Sequence, residues 1–265
     1  MKKILACVFI VTLVLAAFSS CKGRKGSDNI LIVGATPVPH AQLLELVRED
    51  LAGQGFTLKI VEFTDYVQPN AALMAGELDA NFFQHLPYLE GNSEWSQGLI
   101  SAFGVHVEPF GLYSNKFTTT GDLPDGATIA IPNDPTNGGR ALLLLQTYGI
   151  ITLRDGAGLR ATPRDITVNP RNFRFIELEA AQLPRALQDV DAATINGNFA
   201  LQAGLNPVRD SLIIEGAESP YVNIVAVQRG KENEAKIIAL KNALLSDKVK
   251  DYINDNYNGG VVTAF

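Results

Sequence analysis

The stretch ILIVGATP, residues 30–37, decides the fold. Ile30–Val33 is a continuous apolar run, which is typical of a strand buried on both faces of a parallel sheet. The helix that follows has apolar residues at helical spacing, namely Leu43, Leu44, Leu46, Val47 and Leu51. Gly53 ends this helix, and a second strand is predicted from Leu58 to Phe63. The sequence therefore predicts a βαβ unit here.

A comparable unit begins about 100 residues later in the chain. The apolar run Ala127–Ile131 predicts a strand, PNDPTNGGR at residues 132–140 predicts a loop, and Ala141–Tyr148 predicts a helix. Two such openings predict two α/β lobes joined by crossover segments. A cleft between two lobes is a place where small ligands bind.

The remaining elements suggest where each lobe begins and ends. The sequence predicts strands over Val105–Tyr113, Asp210–Ile214 and Tyr221–Val227, and one long helix over Asn233–Tyr252. We assign residues 29–115 and 222–265 to lobe 1 and residues 116–221 to lobe 2.

The N-terminus predicts export. Lys2 and Lys3 precede an apolar run from Ile4 to Phe18. This run has about 15 residues, fewer than the ~20 that a membrane-spanning helix needs, and small residues follow it. We therefore expect residues 1–20 to be a signal peptide that is removed.

Cys21 follows two small residues, the position at which a bacterial lipobox has its acylated cysteine. We expect Cys21 to be lipidated and residues 21–28, which are polar and glycine-rich, to form a flexible tether. Cleavage near Ser20 that leaves a free thiol is the alternative. The chain has two cysteines and the other, Cys7, lies in the signal peptide, so we expect neither an intramolecular disulfide nor a cysteine metal cluster.

Composition bears on the class of function. The net charge is −6, whereas a nucleic-acid surface needs a basic excess, so we expect no nucleic-acid partner. The sequence has no Gly-x-Ser-x-Gly motif, no glycine-rich phosphate loop and no paired catalytic groups, so we expect no catalytic site and no cofactor. Its three histidines, His40, His85 and His106, do not have the spacing of a metal site, so we expect no metal.

Four short motifs occur in order along the chain: DANFFQHLPYL at 79–89, PNDPTNGGR at 132–140, INGNFA at 195–200 and PYVN at 220–223. Together they resemble the NlpA/MetQ-type methionine-binding lipoproteins, and the resemblance extends over nearly the whole chain. It implies a type II periplasmic-binding-protein fold with an inter-domain ligand cleft. It also implies a monomer that is lipid-anchored to the cell membrane, faces the periplasm or the exterior, and delivers L-methionine to the permease and ATPase subunits of an ABC importer.

The resemblance also implies a ligand-binding set, which consists of Tyr66, Phe83, His85, Tyr88, Arg140, Asn196 and Asn223. The chemistry of these residues suits a free amino acid, whose carboxylate and ammonium must both find partners. Arg140 follows a glycine pair, and its planar fork can bind a carboxylate through two hydrogen bonds. We expect the backbone amides near Gly138 and Gly139 to add donors at the start of the same helix. Asn196 and Asn223 can accept from ammonium or donate to carboxylate.

The aromatic residues would enclose the ligand side chain, because a thioether gains from contact with aromatic rings. Phe82 and Phe83 alternate in a strand, so one is expected to face the core and the other the ligand; the resemblance favours Phe83 as the ligand residue. Pro87 is expected to begin the next helix and to place Tyr88 near the cleft. His85 lies in a predicted loop, where a structural hydrogen-bonding role is the alternative to ligand contact.

Other functions remain open from the sequence. An aromatic pocket accepts several apolar side chains, so another apolar amino acid or a methionine-containing dipeptide is an alternative ligand. A metal-binding lipoprotein and an adhesin are alternatives from other classes.

Overall fold

The computed structural model describes residues 29–216 and 219–265. The predicted signal peptide and the whole of the predicted tether, including Cys21, lie outside the described residues. The strands, numbered along the chain, are β1 (Ile30–Ala35), β2 (Thr57–Glu62), β3 (Ala80–His85), β4 (Leu99–Val107), β5 (Gly111–Tyr113), β6 (Thr128–Pro132), β7 (Thr152–Leu153), β8 (Ile166–Val168), β9 (Arg174–Leu178), β10 (Ala192–Ile195), β11 (Ile213–Ile214), β12 (Val222–Gln228) and β13 (Val262–Thr263).

The helices are α1 (Gln42–Leu46), α2 (Arg48–Gly53), α3 (Gln68–Met74), α4 (Leu86–Gly91), α5 (Ser93–Gly98), α6 (Pro135–Thr147), α7 (Leu183–Ala186), α8 (Gly197–Gln202), α9 (Pro207–Asp210), α10 (Ala235–Leu244) and α11 (Asp247–Tyr257). Shorter helical turns cover Pro37–Ala41, Thr120–Asp122, Gly158–Arg160, Pro163–Asp165 and Ala180–Gln182. No helix among the described residues is long and apolar enough to cross a bilayer.

The first lobe is built on a six-stranded sheet with the order β13-β4-β12-β3-β1-β2. Helices cover both faces. Leu31 and Val33 pack on one face against α1, α2, α10 and α11, whereas Ile32 packs on the other, in the cluster that includes Leu73 of α3. Because both faces are buried, β1 has a continuous apolar sequence instead of an alternating one.

The second lobe is built on a five-stranded sheet with the order β11-β5-β10-β6-β9. The helix α6 packs on one face, in a core that includes Ile129, Ile131 and Leu142. On the other face, Leu183 of α7 and Phe199 of α8 pack with Ile195. A separate pair, β7 and β8, forms a small two-stranded ribbon.

The chain crosses between the sheets at Glu108-Pro109-Phe110. The predicted single strand Val105–Tyr113 is therefore wrong: β4 ends at Val107 in the first sheet, and Gly111–Tyr113 pairs with β10 in the second. Proline has no N–H to donate to a sheet, which favours a break at this point. The second lobe thus begins before residue 116, our predicted boundary. The chain returns to the first sheet between Ile214 and Val222.

Three helix predictions also change. The helix predicted to begin at Ala141 begins at Pro135, because Asp134 caps it: the Asp134 carboxylate accepts from the Asn137 backbone N–H at 2.9 Å. The helix predicted over 233–252 is two helices, α10 and α11, that meet near Ser246. The first predicted helix is likewise interrupted at Val47, between α1 and α2. In the predicted strand Asp210–Ile214, only Ile213–Ile214 is a strand, since Pro207 begins the helix α9.

The directions of the strands place the site. In the first sheet β1 and β3 are parallel, and β12 is antiparallel to both β3 and β4. The carboxyl ends of β1, β3 and β4 and the start of β12 therefore meet at one edge of the sheet. In the second sheet β6 and β10 are parallel and end together. Clefts at the carboxyl ends of parallel strands are where α/β proteins bind ligands.

Candidate ligand-binding site

A cavity lies between the two lobes, and interfaces between domains are a common place for ligand pockets. All seven residues of the predicted binding set line it. The residues that line it are Tyr66, Phe83, Gln84, His85, Tyr88, Glu108, Asn137, Arg140, Asn196, Gly197, Asn198 and Asn223.

One wall of the cavity is aromatic. Phe83 lines the cavity, whereas its neighbour Phe82 is fully buried in the core of the first lobe. The alternation of the strand β3 therefore places the two rings on opposite faces, as predicted. The Tyr66 ring lies 5.8 Å from the Phe83 ring and 5.7 Å from the Tyr88 ring, measured between centroids. This wall can enclose an apolar, polarisable side chain.

His85 is fixed by hydrogen bonds on both ring nitrogens. It caps the helix α4, whose backbone N–H at Tyr88 donates to His85 Nδ1 at 3.1 Å. The ring proton must then be on Nε2, which donates to Asn137 Oδ1 at 3.0 Å. Burial, followed by the charge of Arg140, lowers the pKa of His85 to about 3, so the ring is neutral at pH 7. His85 therefore has a structural hydrogen-bonding role, and it also lies in the wall of the cavity.

The side-chain oxygen of Asn137, Oδ1, also accepts from Asn196 Nδ2, at 2.9 Å. Asn137 in turn donates to the carboxylate of Asp134. This chain of bonds orients Asn196, since its NH₂ group is used and its Oδ1 is directed elsewhere. Within the described residues, Asn196 Oδ1 is buried and has no hydrogen-bond partner. The cavity thus presents an acceptor that a ligand could satisfy.

Two further asparagines present donors. Asn198 Oδ1 accepts from the Tyr66 hydroxyl at 2.5 Å, while Asn198 Nδ2 is buried without a partner among the described residues. Asn223 Oδ1 accepts from His40 Nε2 at 3.1 Å, which leaves the Asn223 NH₂ group as the donor. The Tyr66–Asn198 and His85–Asn137 bonds each join one lobe to the other across the cavity.

Arg140 lies inside the helix α6, and not at its start as predicted. Arg140 Nε donates to Glu215 Oε1 at 2.9 Å, and Nη2 donates to Glu215 Oε2 and to the Glu108 backbone oxygen. The guanidinium also lies 4.0 Å from the centroid of the Tyr221 ring. Glu215 therefore occupies the edge formed by Nε and Nη2, and the Glu108 backbone oxygen also uses Nη2. Nη1 is the nitrogen that can bind a ligand.

The glycine pair before Arg140 has a steric role. The Gly138 N–H donates to the Asp134 backbone oxygen within the helix, so the prediction that it donates to a ligand is wrong. A Cβ added at Gly139 would lie 2.2 Å from the Leu159 backbone oxygen. The close approach of α6 to the turn Gly158–Arg160 requires glycine at this position.

Sequence reasoning missed a buried cluster beside the cavity, which we call the histidine–glutamate cluster: His40, His106 and Glu108. Glu108 Oε1 lies 2.9 Å from His106 Nε2 and 3.3 Å from His40 Nε2. The ligand-type atoms of the three residues lie within 4.8 Å of one another, as in a metal site. Among them, a hydrogen bond joins His106 to Glu108, and His40 Nε2 donates to Asn223 Oδ1 outside the cluster. His106 and Glu108 alternate along the chain, so a shared face was the one available sequence signal.

Burial governs ionisation in this cluster. It lowers the pKa of His40 to about 4 and of His106 to about 3, so both rings are neutral at pH 7 and donate N–H groups without charge. Burial raises the pKa of the Glu108 carboxyl, and His40, the Asn198 backbone amide and Arg140 each act to lower it.

Residues 31–265 match the family model of the NlpA lipoproteins. The chain belongs to the NlpA lipoprotein family. It is similar to the membrane lipoprotein TpN32 of Treponema pallidum (strain Nichols), with 45% identity over 89% of this chain and 88% of that protein. It is also similar to the methionine-binding lipoprotein MetQ of Bacillus subtilis (strain 168), with 40% identity over 99% of this chain and 98% of that protein.

A solved structure gives the same result for the fold. A nutrient binding protein from Burkholderia cenocepacia, bound to methionine, is 45% identical and has a TM-score of 0.85, covering 89% of this chain and 100% of that one. The predicted two-lobed α/β fold of this NlpA lipoprotein is confirmed, as is the resemblance drawn from its motifs. The family is one of substrate-binding lipoproteins and not a class of enzymes.

Proposed function

We propose that this NlpA lipoprotein captures free L-methionine in the cavity between its lobes and delivers it to a membrane importer. The observation that supports this most directly is the set of unused polar groups in the cavity. Among the described residues, Asn196 Oδ1 is an acceptor without a partner and Asn198 Nδ2 is a donor without one. A buried polar group without a partner costs about 1–3 kcal/mol, so a ligand that satisfies both is favoured.

A free α-amino acid has the matching groups. Its carboxylate can accept from Asn198, from the Asn223 NH₂ group and from Arg140 Nη1, and its ammonium can donate to Asn196. Because Arg140 is already paired with Glu215, we assign it one hydrogen bond to the carboxylate and not two. The binding energy is then shared among several donors.

The aromatic wall supports a thioether side chain. Sulfur in contact with an aromatic ring gains about 0.3–1.5 kcal/mol beyond ordinary burial. Phe83, Tyr66 and Tyr88 supply three rings on one side of the cavity. Two similar proteins support the same ligand, since one is a methionine-binding lipoprotein and the structure of the other was solved with methionine bound.

The proposed function also requires a membrane anchor and a way to pass methionine to the importer. We propose that Cys21 is acylated and holds the protein on the outer face of the cell membrane, as a monomer. The two lobes close on methionine and present the closed form to the permease and ATPase subunits of an ABC importer. Loss of acyl labelling in Cys21→Ala, with methionine binding retained, would support this assignment of the anchor.

Thermal stabilisation tests the ligand. The full-length lipoprotein in detergent is unfolded, freed of any co-purified ligand by dialysis, and refolded before titration. L-methionine at 100 times its Kd should stabilise the fold by about 2.7 kcal/mol. Leucine and a methionine-containing dipeptide are the comparison ligands. Equal stabilisation by leucine would refute selectivity for the thioether, and no shift with any of the three would refute amino-acid capture.

A further inference from the structure

We propose that the short connection to Cys21 holds one edge of the first sheet against the anchoring bilayer, so that the cleft opens away from the lipid. This edge, which we call the amino edge, is where β1, β2 and β4 begin and β12 ends, at Ile30, Thr57, Leu99 and Gln228. The inference rests on the proposed acylation of Cys21, and it is independent of which ligand the cavity binds.

The described chain is attached to the amino edge from its first residue. The Asn29 backbone oxygen accepts from the Thr57 N–H at 2.8 Å, and Ile30, which begins β1, pairs with Thr57. Asn29 is exposed, so residue 28 is joined to the folded part at the surface of this edge. The point at which the anchor joins the fold is therefore fixed.

The cavity lies at the opposite edge of the same sheet. His85 and Asn223 line it, at the end of β3 and the start of β12. Val33 of β1 pairs with Ala80 of β3. Ile30 lies three residues before this pair, and His85 lies five residues after it. Since a strand rises about 3.3 Å per residue, the two levels are ~26 Å apart along the sheet.

The length of the connection favours one orientation. Residues 21–28 join the acylated position to Asn29, and whatever their conformation they reach at most about 29 Å. If the cleft faced the lipid, the connection would have to run ~26 Å along the first lobe before it met the bilayer, which is nearly its whole reach. With the amino edge towards the lipid, none of that length is needed. Because full extension costs conformational entropy, the second orientation is favoured.

The charges of the same eight residues add to this preference. Lys22, Arg24 and Lys25 are basic, and Asp28 is acidic. Basic side chains are attracted to anionic headgroups over about one Debye length, which is ~8 Å at physiological salt. The attraction is lost if the connection is drawn out along the lobe. It is kept if the amino edge lies close to the bilayer.

The test measures the height of two dyes above the lipid. The full-length acylated protein is reconstituted in vesicles of phosphatidylcholine and phosphatidylglycerol, with a headgroup-labelled lipid as the acceptor for energy transfer. Gln54→Cys places a donor dye in the turn before β2, at the amino edge, and Val67→Cys places one at the mouth of the cleft. Both side chains are exposed, and the acylated Cys21 does not take the dye. The dye at residue 54 should lie nearer the lipid by roughly 20 Å, as the rise of the strands requires.

A longer connection is the matched control, because it leaves the fold, the anchor and both dye positions unchanged. An insert of about 16 Gly and Ser residues after Ser27 raises the maximum reach to about 86 Å, so the protein can turn over. The two dyes should then give nearly equal energy transfer. A difference that persists with the insert would overturn the proposal that the short connection sets the orientation.

The outcomes separate this inference from the proposed function. If the labelled protein does not float with the vesicles, the proposed anchor fails and the orientation fails with it, whereas methionine capture is unaffected. If the protein floats and the dye at residue 67 is as near the lipid as the dye at residue 54, the orientation is overturned while the anchor stands. Greater transfer from residue 54 that the insert abolishes supports the orientation.

Discussion

Replacing Phe83 by alanine should weaken binding of methionine far more than binding of glycine. The Phe83 ring lines the cavity and has Tyr66 and Tyr88 as its aromatic neighbours, at centroid distances of 5.8 and 6.2 Å. Its removal takes away the contact between sulfur and ring, worth about 0.3–1.5 kcal/mol, and part of the apolar cover of the side chain. We expect a loss of about 2–3 kcal/mol, which is a 30- to 150-fold increase in Kd.

Calorimetric titration of both amino acids against the variant measures this difference. Glycine has no side chain to cover, so its Kd should change by less than about 3-fold. Phe103→Ala is the control for stability, because Phe103 is buried in the first-lobe core and does not line the cavity. That variant should lose about 3–5 kcal/mol of stability but keep its affinity for methionine. Equal loss of glycine and methionine binding in Phe83→Ala would refute the role of the ring in selectivity.

Four further results are expected. Arg140→Lys should weaken methionine binding about 10-fold or more in calorimetry, because a lysine ammonium lacks the planar group with which arginine can bind Glu215 and the ligand at once. Unchanged affinity would contradict this role. Gly139→Ala should lower the melting temperature, since its Cβ would meet the Leu159 backbone oxygen at 2.2 Å, and an unchanged melting temperature would contradict the steric role. Between pH 6.5 and 4 the melting temperature should fall, because His85 and the two histidines of the histidine–glutamate cluster have folded pKa values of about 3–4 and the unfolded chain binds their protons first. The free energy of unfolding should fall by up to about 1.4 kcal/mol per pH unit for each histidine. The raised pKa of Glu108 reduces this fall, because the folded protein then binds a proton at that carboxyl first. A melting temperature that does not change with pH would contradict the burial of neutral rings. A chelator should leave both melting temperature and methionine binding unchanged, and a fall in either would indicate a bound metal in the cluster.

The parts of the fold that the sequence predicts well are those whose burial produces a pattern. Strand β1 is covered on both faces, and its apolar run identifies it. The strand predicted over Tyr221–Val227 is observed as Val222–Gln228 for the same reason. Apolar runs do not show where a strand changes sheet, so Val105–Tyr113 looked like one strand. Helix α6 was predicted to begin too late, because buried polar and small residues occupy its first turns and have no apolar periodicity.

The sequence likewise predicts some features of the site and not others. Strand alternation predicts that Phe82 and Phe83 face opposite sides, but not which of them faces the ligand. The chemistry of Arg140 suggests an anion partner, and the structure adds that one such partner is Glu215, 75 residues away in the chain. No local pattern predicts that pairing. It changes the expected role of Arg140 from a two-bond clamp on the ligand to one donor among several.

Glu108 and its histidines show why the rest of the site lay beyond sequence reasoning. His40 follows β1, and His106 lies on β4, with β3 and β12 between these strands in the sheet. The sequence of a single strand does not predict which strands lie beside it in the sheet. It is this order of strands that brings the ends of β1 and β4 to the same edge. In the register of the sheet, Asn223 of β12 pairs with His85 on one side and with His106 on the other. His85, Asn223 and His106 therefore lie side by side at a single level of the first sheet, at the edge that faces the second lobe across the cavity.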